Sequence, residues 1–155
     1  MFDRIVVAVD GSPSADRALD YAARLAGESR GSIIAVHVIE LIAGRGAGPV
    51  HANEDELKEQ VTSQVARLKQ DGLHADLQLV SSMTGGPAHA IAQVAQREGA
   101  DVIITGTRGH TPLAGVFLGS VAQRLMHIAP CPVLVVPAEV REDAGDLEGR
   151  QAGVA

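Results

Sequence analysis

Apolar positions along the chain alternate between short unbroken runs and stretches in which they return every three or four residues. Residues 5–9 are all apolar, the pattern of a central strand covered on both faces. The run ends in Asp10-Gly11-Ser12-Pro13, where Ser12 can cap a helix and Pro13 suits its first position. Ala15, Leu19, Ala22 and Ala26 then make one helical stripe to about residue 29, stopped at Gly31. Residues 33–39 predict a second strand, interrupted only by His37. Residues 41–53, with three glycines and a proline, read as a surface loop. Leu57, Val61, Val65 and Leu68 mark a second helix ending near Asp71-Gly72. Residues 75–81 alternate, with Asp76 and Gln78 on one face, as in an edge strand. After Gly85-Gly86, Pro87 opens a third helix with Ala88, Ile91, Ala92 and Ala95 inward, closed by Gly99.

The last unit, residues 101–137, is the one that points to chemistry. Val102-Ile103-Ile104 forms a strand ending at Gly106, and a loop carrying Gly106, Gly109 and Gly115 follows. A helical pattern starts at Gly119-Ser120 and ends before Pro130-Cys131-Pro132, and an apolar run from Val133 to Val136 closes the unit. Strand, glycine loop, helix, strand is an arrangement in which backbone N–H groups and a helix N-terminus hold an anion, a phosphate first of all. The whole order is βαβαβαβαβ with crossover helices, which predicts a doubly wound, Rossmann-like α/β domain with a parallel sheet. Ligands of such sheets sit beyond the carboxyl ends of the strands, where the winding reverses. With strands 1 and 4 as central neighbours, Asp10 and Gly106 meet in one crevice.

Composition narrows the class. At 155 residues the chain makes one domain. Aromatics are 2% against 46% hydrophobic residues, so the core is built from Val, Ile, Leu and Ala. A net charge of −6 offers no general attraction to nucleic acid or an anionic membrane, and no apolar run is long enough to span a bilayer. Cys131 is the single cysteine, and the N-terminus enters a strand without a signal-peptide pattern, so a cytoplasmic protein is expected. Residues 138–155 hold five acidic and two basic residues and few large apolar ones, and read as a disordered acidic tail.

Each chemical feature has a plainer counterpart. Gly106-x2-Gly109-x9-Gly119-Ser120 suits a phosphate cradle. There Gly106 admits a ligand at the strand end, Gly109 allows a tight turn and Gly119 brings oxygens to the first helical amides, with Ser120 adding a hydroxyl. The same residues would also make a glycine-rich structural turn with Ser120 as cap. Asp10-Gly11-Ser12 is either a common capped turn or a carboxylate beside phosphates, accepting from a ribose hydroxyl or holding Mg²⁺. Arg108 is a candidate phosphate contact, while His110 and Arg124 read as solvated residues. His37 reads as a satisfied interior residue and Cys131 as a packed thiol. The histidines show no zinc-ligand spacing. There is no G-x4-G-K-[ST] loop, no G-x-S-x-G elbow and no G-x-G-x-x-G after the first strand, so a cradle is visible without hydrolytic machinery.

Three passages, VAVDGSPSADRALDYAARLA, AVHVIE and TGTRGH…LGSVAQRLMHIAPCPVLVVP, resemble the universal stress protein family over residues 1–137. The third contains that family's G-x2-G-x9-G-[ST] motif in full. The resemblance implies a five-stranded parallel sheet in order 3-2-1-4-5, with ATP binding in members that keep the motif. It places Asp10 near ribose and phosphate or metal, and Val38 as the residue whose backbone reads adenine. Gly106, Gly109, Gly119, Ser120 and Val121 become the phosphate and ribose cradle. Ala8, Thr105 and Arg108 are counted beside them as candidate binding residues. Ala122 departs from the pattern, since many members carry a hydroxyl there. The family also implies a homodimer through the last strand, Val133 to Val136, an uncharged strand that would be an association hazard at a sheet edge. Pro132, Pro137 or the tail would be the alternative protection.

The function so implied is an ATP- and Mg²⁺-binding regulatory protein of the stress response, acting through nucleotide-dependent conformation or partner binding, with little or no hydrolysis. Two alternatives stand beside it: a weak ATPase or nucleotide-dependent transferase, and a binder of another adenine nucleotide such as cyclic AMP or AMP.

Overall fold

A computed structural model of the chain describes residues 1–41, 53–82, 85–107 and 118–138. The elements are β1 (Arg4–Ala8), α1 (Pro13–Ser29), β2 (Ser32–Glu40), α2 (Glu54–Gln70), β3 (His74–Ser82), α3 (Gly86–Glu98), β4 (Val102–Gly106), α4 (Ser120–Ile128) and β5 (Val133–Val136). All strand pairs are parallel, and the order across the sheet is β3-β2-β1-β4-β5. The winding thus reverses between β1 and β4, as expected. The expected loop over residues 41–53, apart from its ends, lies outside the described residues, as do Arg108, Gly109, His110 and Gly115 of the glycine loop and all but the first residue of the tail.

The unbroken apolar runs have their cause in two cores. On one face Ile5, Val7, Ile33, Ala35, Val102 and Ile104 pack with Ala18, Leu19, Ala22 and Ala26 of α1 and Val61 and Val65 of α2. On the other, Val6, Ile34, Val36 and Ile103 pack with Ala88, Ile91, Ala92 and Ala95 of α3 and Leu125 of α4. Alternate residues of each central strand serve opposite cores, so both parities are mostly apolar, with His37 of β2 and Thr105 of β4 as buried polar exceptions.

Helix ends follow local chemistry. Ser12 Oγ accepts from the Ala15 N–H at 3.4 Å and Pro13 opens α1. The residue that turns the chain after α1 is Arg30, at φ +57°, rather than Gly31. Gly31 is required for another reason: a Cβ there would lie 2.1 Å from the Phe2 carbonyl oxygen. Gly99, at φ +62°, does end α3 as expected.

The two edges of the sheet differ. β3 is flanked by polar groups: Gln78 donates to Glu98 at 2.9 Å and accepts from Arg97 at 2.6 Å, and Lys69 lies 3.2 Å from Asp76. The Gln78 hydrogen bond, with help from Arg97, holds the Glu98 carboxyl below its ordinary range. β5 carries only Val, Leu, Val and Val, with Leu134 40% exposed.

Candidate functional site

The carboxyl edge of the sheet has a notch at its centre. β1 stops at Ala8, paired with Val36, while β2 runs on to Glu40 beside β3. On the other side β1 pairs with β4 only as far as Val7 and Ile104, and β4 continues to Gly106 beside β5. The chain leaves the notch at Asp10 after β1 and at Gly106, the last residue of β4, the two positions singled out in the sequence.

On the α3 and α4 side the floor of the notch is apolar and half-buried. Ala8, Val38 and Val80 sit there against the second core, as does Val121 from the first turn of α4. Deeper members of the same rows, Val6 and Val36, are fully buried. Thr105 is also buried, its hydroxyl 3.4 Å from the Gly106 carbonyl, so it supports the rim from inside.

Asp10 builds the turn into α1. Its Oδ1 accepts from the Ser12 N–H at 2.9 Å, and Gly11 takes φ +75°. A Cβ on Gly11 would also meet Leu57 Cδ2 at 2.9 Å and Gln60 Oε1 at 3.0 Å, so α2 packs directly on this turn. The plain reading of Asp10 as a turn former therefore holds, and it holds in the place where a ligand carboxylate was expected. Gly106 has a nearer occupant than a ligand: a Cβ there would lie 2.2 Å from Ser14 Oγ and 2.8 Å from the Ser14 carbonyl carbon. The absence of a side chain lets the first turn of α1 close on the end of β4.

The ends of the glycine loop are pinned together. The Thr107 N–H donates to the Val136 carbonyl at 2.9 Å, and the Gly119 N–H donates to the Thr107 carbonyl. α4 then begins with Gly119 as N-cap, without a side-chain cap, and with Ser120 exposed. α3 also starts on glycine without a side-chain cap. The two helix starts face each other across a cavity of about 290 Å³ lined by Gly85, Gly86, Pro87, Ala88, Ser120, Val121 and Arg124. Uncapped first-turn amides favour an anion electrostatically. Ala122, where the motif departs from its usual form, is buried in the core.

Two participants were not legible as such. Arg124, expected as a solvated residue, is exposed yet lines the cavity; its position one helical turn after Ser120 was the available signal. Glu54, in the acidic first turn of α2, is buried and hydrogen-bonded through Oε1 to His37 Nε2, while His37 Nδ1 lies 2.9 Å from the Val9 carbonyl. His37 is the satisfied interior residue the sequence suggested. Among the described residues no group of three or more His, Cys, Asp or Glu gathers as a metal site, and no helix is long and apolar enough to cross a membrane.

The model of the universal stress protein family matches residues 1–137. The chain belongs to that family. The universal stress protein YxiE of Bacillus subtilis is 32% identical over 152 residues, covering 88% of this chain and 99% of the relative. Among solved structures, a universal stress protein from Burkholderia pseudomallei is 31% identical with a TM-score of 0.70, covering 88% of this chain and 96% of that one. The Archaeoglobus fulgidus protein in complex with dAMP is 26% identical with a TM-score of 0.66, over 87% of this chain and 98% of that one. A universal stress protein in complex with cAMP is 25% identical with a TM-score of 0.65, over 89% and 98%. The five-stranded parallel sheet with four helices is the architecture these structures share with this chain.

Proposed function

We propose that this universal stress protein binds an adenine nucleotide in the notch, with ATP and Mg²⁺ as the physiological pair, and acts in the cytoplasm as a regulatory dimer through nucleotide-dependent conformation or partner binding. The observation that carries this reading is the convergence, beyond the end of β1, of the half-buried floor of Ala8 and Val38 with Asp10 and the uncapped start of α4. The base would lie on the apolar floor against the Val38 backbone, and the phosphates would reach Gly119, Ser120 and the loop containing Arg108 and Gly109. The donor set suits a Mg²⁺ that arrives with the phosphates, because one carboxylate, Asp10, is at hand and no preassembled ligand cluster is found among the described residues. Slow or absent hydrolysis fits the charges: both lysines of the chain are on α2, with Lys58 3.6 Å from Asp55 and Lys69 3.2 Å from Asp76.

A calorimetric titration with ATP and Mg²⁺ tests the reading. The unaltered protein is expected to bind, and Gly119→Val to lose about tenfold or more in affinity by displacing the phosphates from the first turn of α4. No binding by the unaltered, nucleotide-free protein would reduce the motif to a structural turn. Both ligands named in the solved relatives carry a single phosphate, which favours AMP or cyclic AMP as the second reading. Competition of these nucleotides against ATP decides between the two, and phosphate release measured in the same samples is expected to stay at background.

A further inference from the structure

Resting on that nucleotide reading, we infer that His37 and Glu54 are positioning residues that keep the backbone edge of Val38 open for the base. The pairing of β1 with β2 ends with the Val9 N–H donating to the Val36 carbonyl at 2.9 Å. In a parallel ladder the next rung is fixed by geometry: the Val38 N–H would donate to the Val9 carbonyl. Among the described residues that rung is not made. The Val9 carbonyl instead has the His37 ring against it, with Nδ1 at 2.9 Å. Beyond Val36, Val38 is the first residue of β2 whose backbone groups face the β1 side, so its N–H and C=O lie along the notch. The side chain of the preceding residue has taken the acceptor that would have closed the strand pair.

The proton positions follow from the partners. A carbonyl oxygen only accepts, so Nδ1 must carry a hydrogen. Nε2 faces Glu54 Oε1, and two lone pairs cannot share that contact, so one proton lies between them on one atom or the other. Glu54 thereby fixes which ring nitrogen points its hydrogen at Val9. Both side chains are only 2–3% exposed, so the contact is shielded from bulk solvent. Glu54 stands at the start of α2, which also packs Leu57 and Gln60 on Gly11, so one helix holds the ring, the Val9 carbonyl and the Asp10 turn in register. Among the described residues the buried Glu54 Oε2 has no hydrogen-bond partner, as expected of a carboxylate placed for the histidine at a cost to itself.

Residue-resolved amide exchange and ATP titration together test this. In the nucleotide-free protein the Val38 amide is expected to exchange faster than that of Val36. His37→Phe removes the donor to Val9, lets the ladder close by one rung and slows Val38 exchange. It also weakens ATP binding by about tenfold, the value of one backbone hydrogen bond to the base. Glu54→Leu frees the ring tautomer and is expected to act in the same direction, which covers the case of a poorly folded His37→Phe. Glu54→Gln keeps a donor on Nε2 and is expected to retain both the fast Val38 exchange and the affinity. A residue that only fills space would not distinguish Gln from Leu in this way. Inorganic tripolyphosphate, which has no base, should bind all folded variants alike. Val38 exchange and ATP affinity unchanged in both disruptive variants would overturn the inference. Should the unaltered protein bind no nucleotide, the function proposed above falls, while the exchange pattern still decides the role of His37.

Discussion

Cys131 sits half-buried between two prolines, and loss of hydration raises its pKa, with the negative charge of Asp101 adding to the effect. A raised thiol pKa leaves less thiolate at neutral pH. Reaction with a thiol reagent at pH 7.5 is therefore expected to be slower for the folded protein than for the same chain in denaturant, with the two rates converging as pH rises. A folded-state rate equal to the denatured one would show the thiol to be freely ionised. Cys131 and His37 also mark what was legible residue by residue. That each is structural could be read from its neighbours in the sequence, one between prolines and one inside an apolar run. The partner of His37 could not, because Glu54 is brought to it only when α2 folds onto the sheet.

At the scale of the element, two glycines near α1 make opposite predictions. At Gly106 an added Cβ meets Ser14, including its backbone, so Gly106→Ala must push the first turn of α1 off β4. A loss of roughly 1–3 kcal/mol is expected, seen as a lower midpoint in thermal unfolding. Gly27 lies within α1, where the nearest atom to an added Cβ is Leu73 Cδ2 at 3.9 Å. Gly27→Ala should stabilise by about 0.5–1 kcal/mol through helix propensity and reduced chain entropy. A fall in the midpoint for Gly27→Ala, or none for Gly106→Ala, would contradict the packing described. Helix starts and strand runs were plain in the sequence because Ser12, Pro13 and Pro87 act on their own backbone. Close approaches were not: Gly31 and Gly106 both read as turn or ligand glycines, and both are spaces occupied by residues distant in sequence.

For the whole molecule the open question is the edge of β5. The carbonyls of Pro132 and Val136 face β4, accepting from Ile103 and Thr107, so the alternate residues Val133 and Val135 direct their backbone groups outward. Polar groups guard the opposite edge at β3, whereas β5 itself carries only apolar side chains. Antiparallel pairing of two copies through β5 would satisfy that edge. Val135→Pro deletes one outward N–H and leaves the β4 pairing intact, so on the dimer proposed above it is expected to yield a folded monomer in sedimentation equilibrium, with the unaltered chain expected to run as a dimer. A dimer surviving that change would place the interface elsewhere. What the sequence by itself determined was the alternation of strands and helices, the two-sided burial of β1, and the helix start at Gly119-Ser120. These follow from local propensity and from the period of apolar positions, which each segment carries alone. Tertiary structure decided the rest: the notch where β2 and β4 outrun β1, the meeting of the α3 and α4 starts beside Arg124, and the His37–Glu54 contact over Val9. Those depend on register and on which helix covers which strand, and such relations exist only between segments.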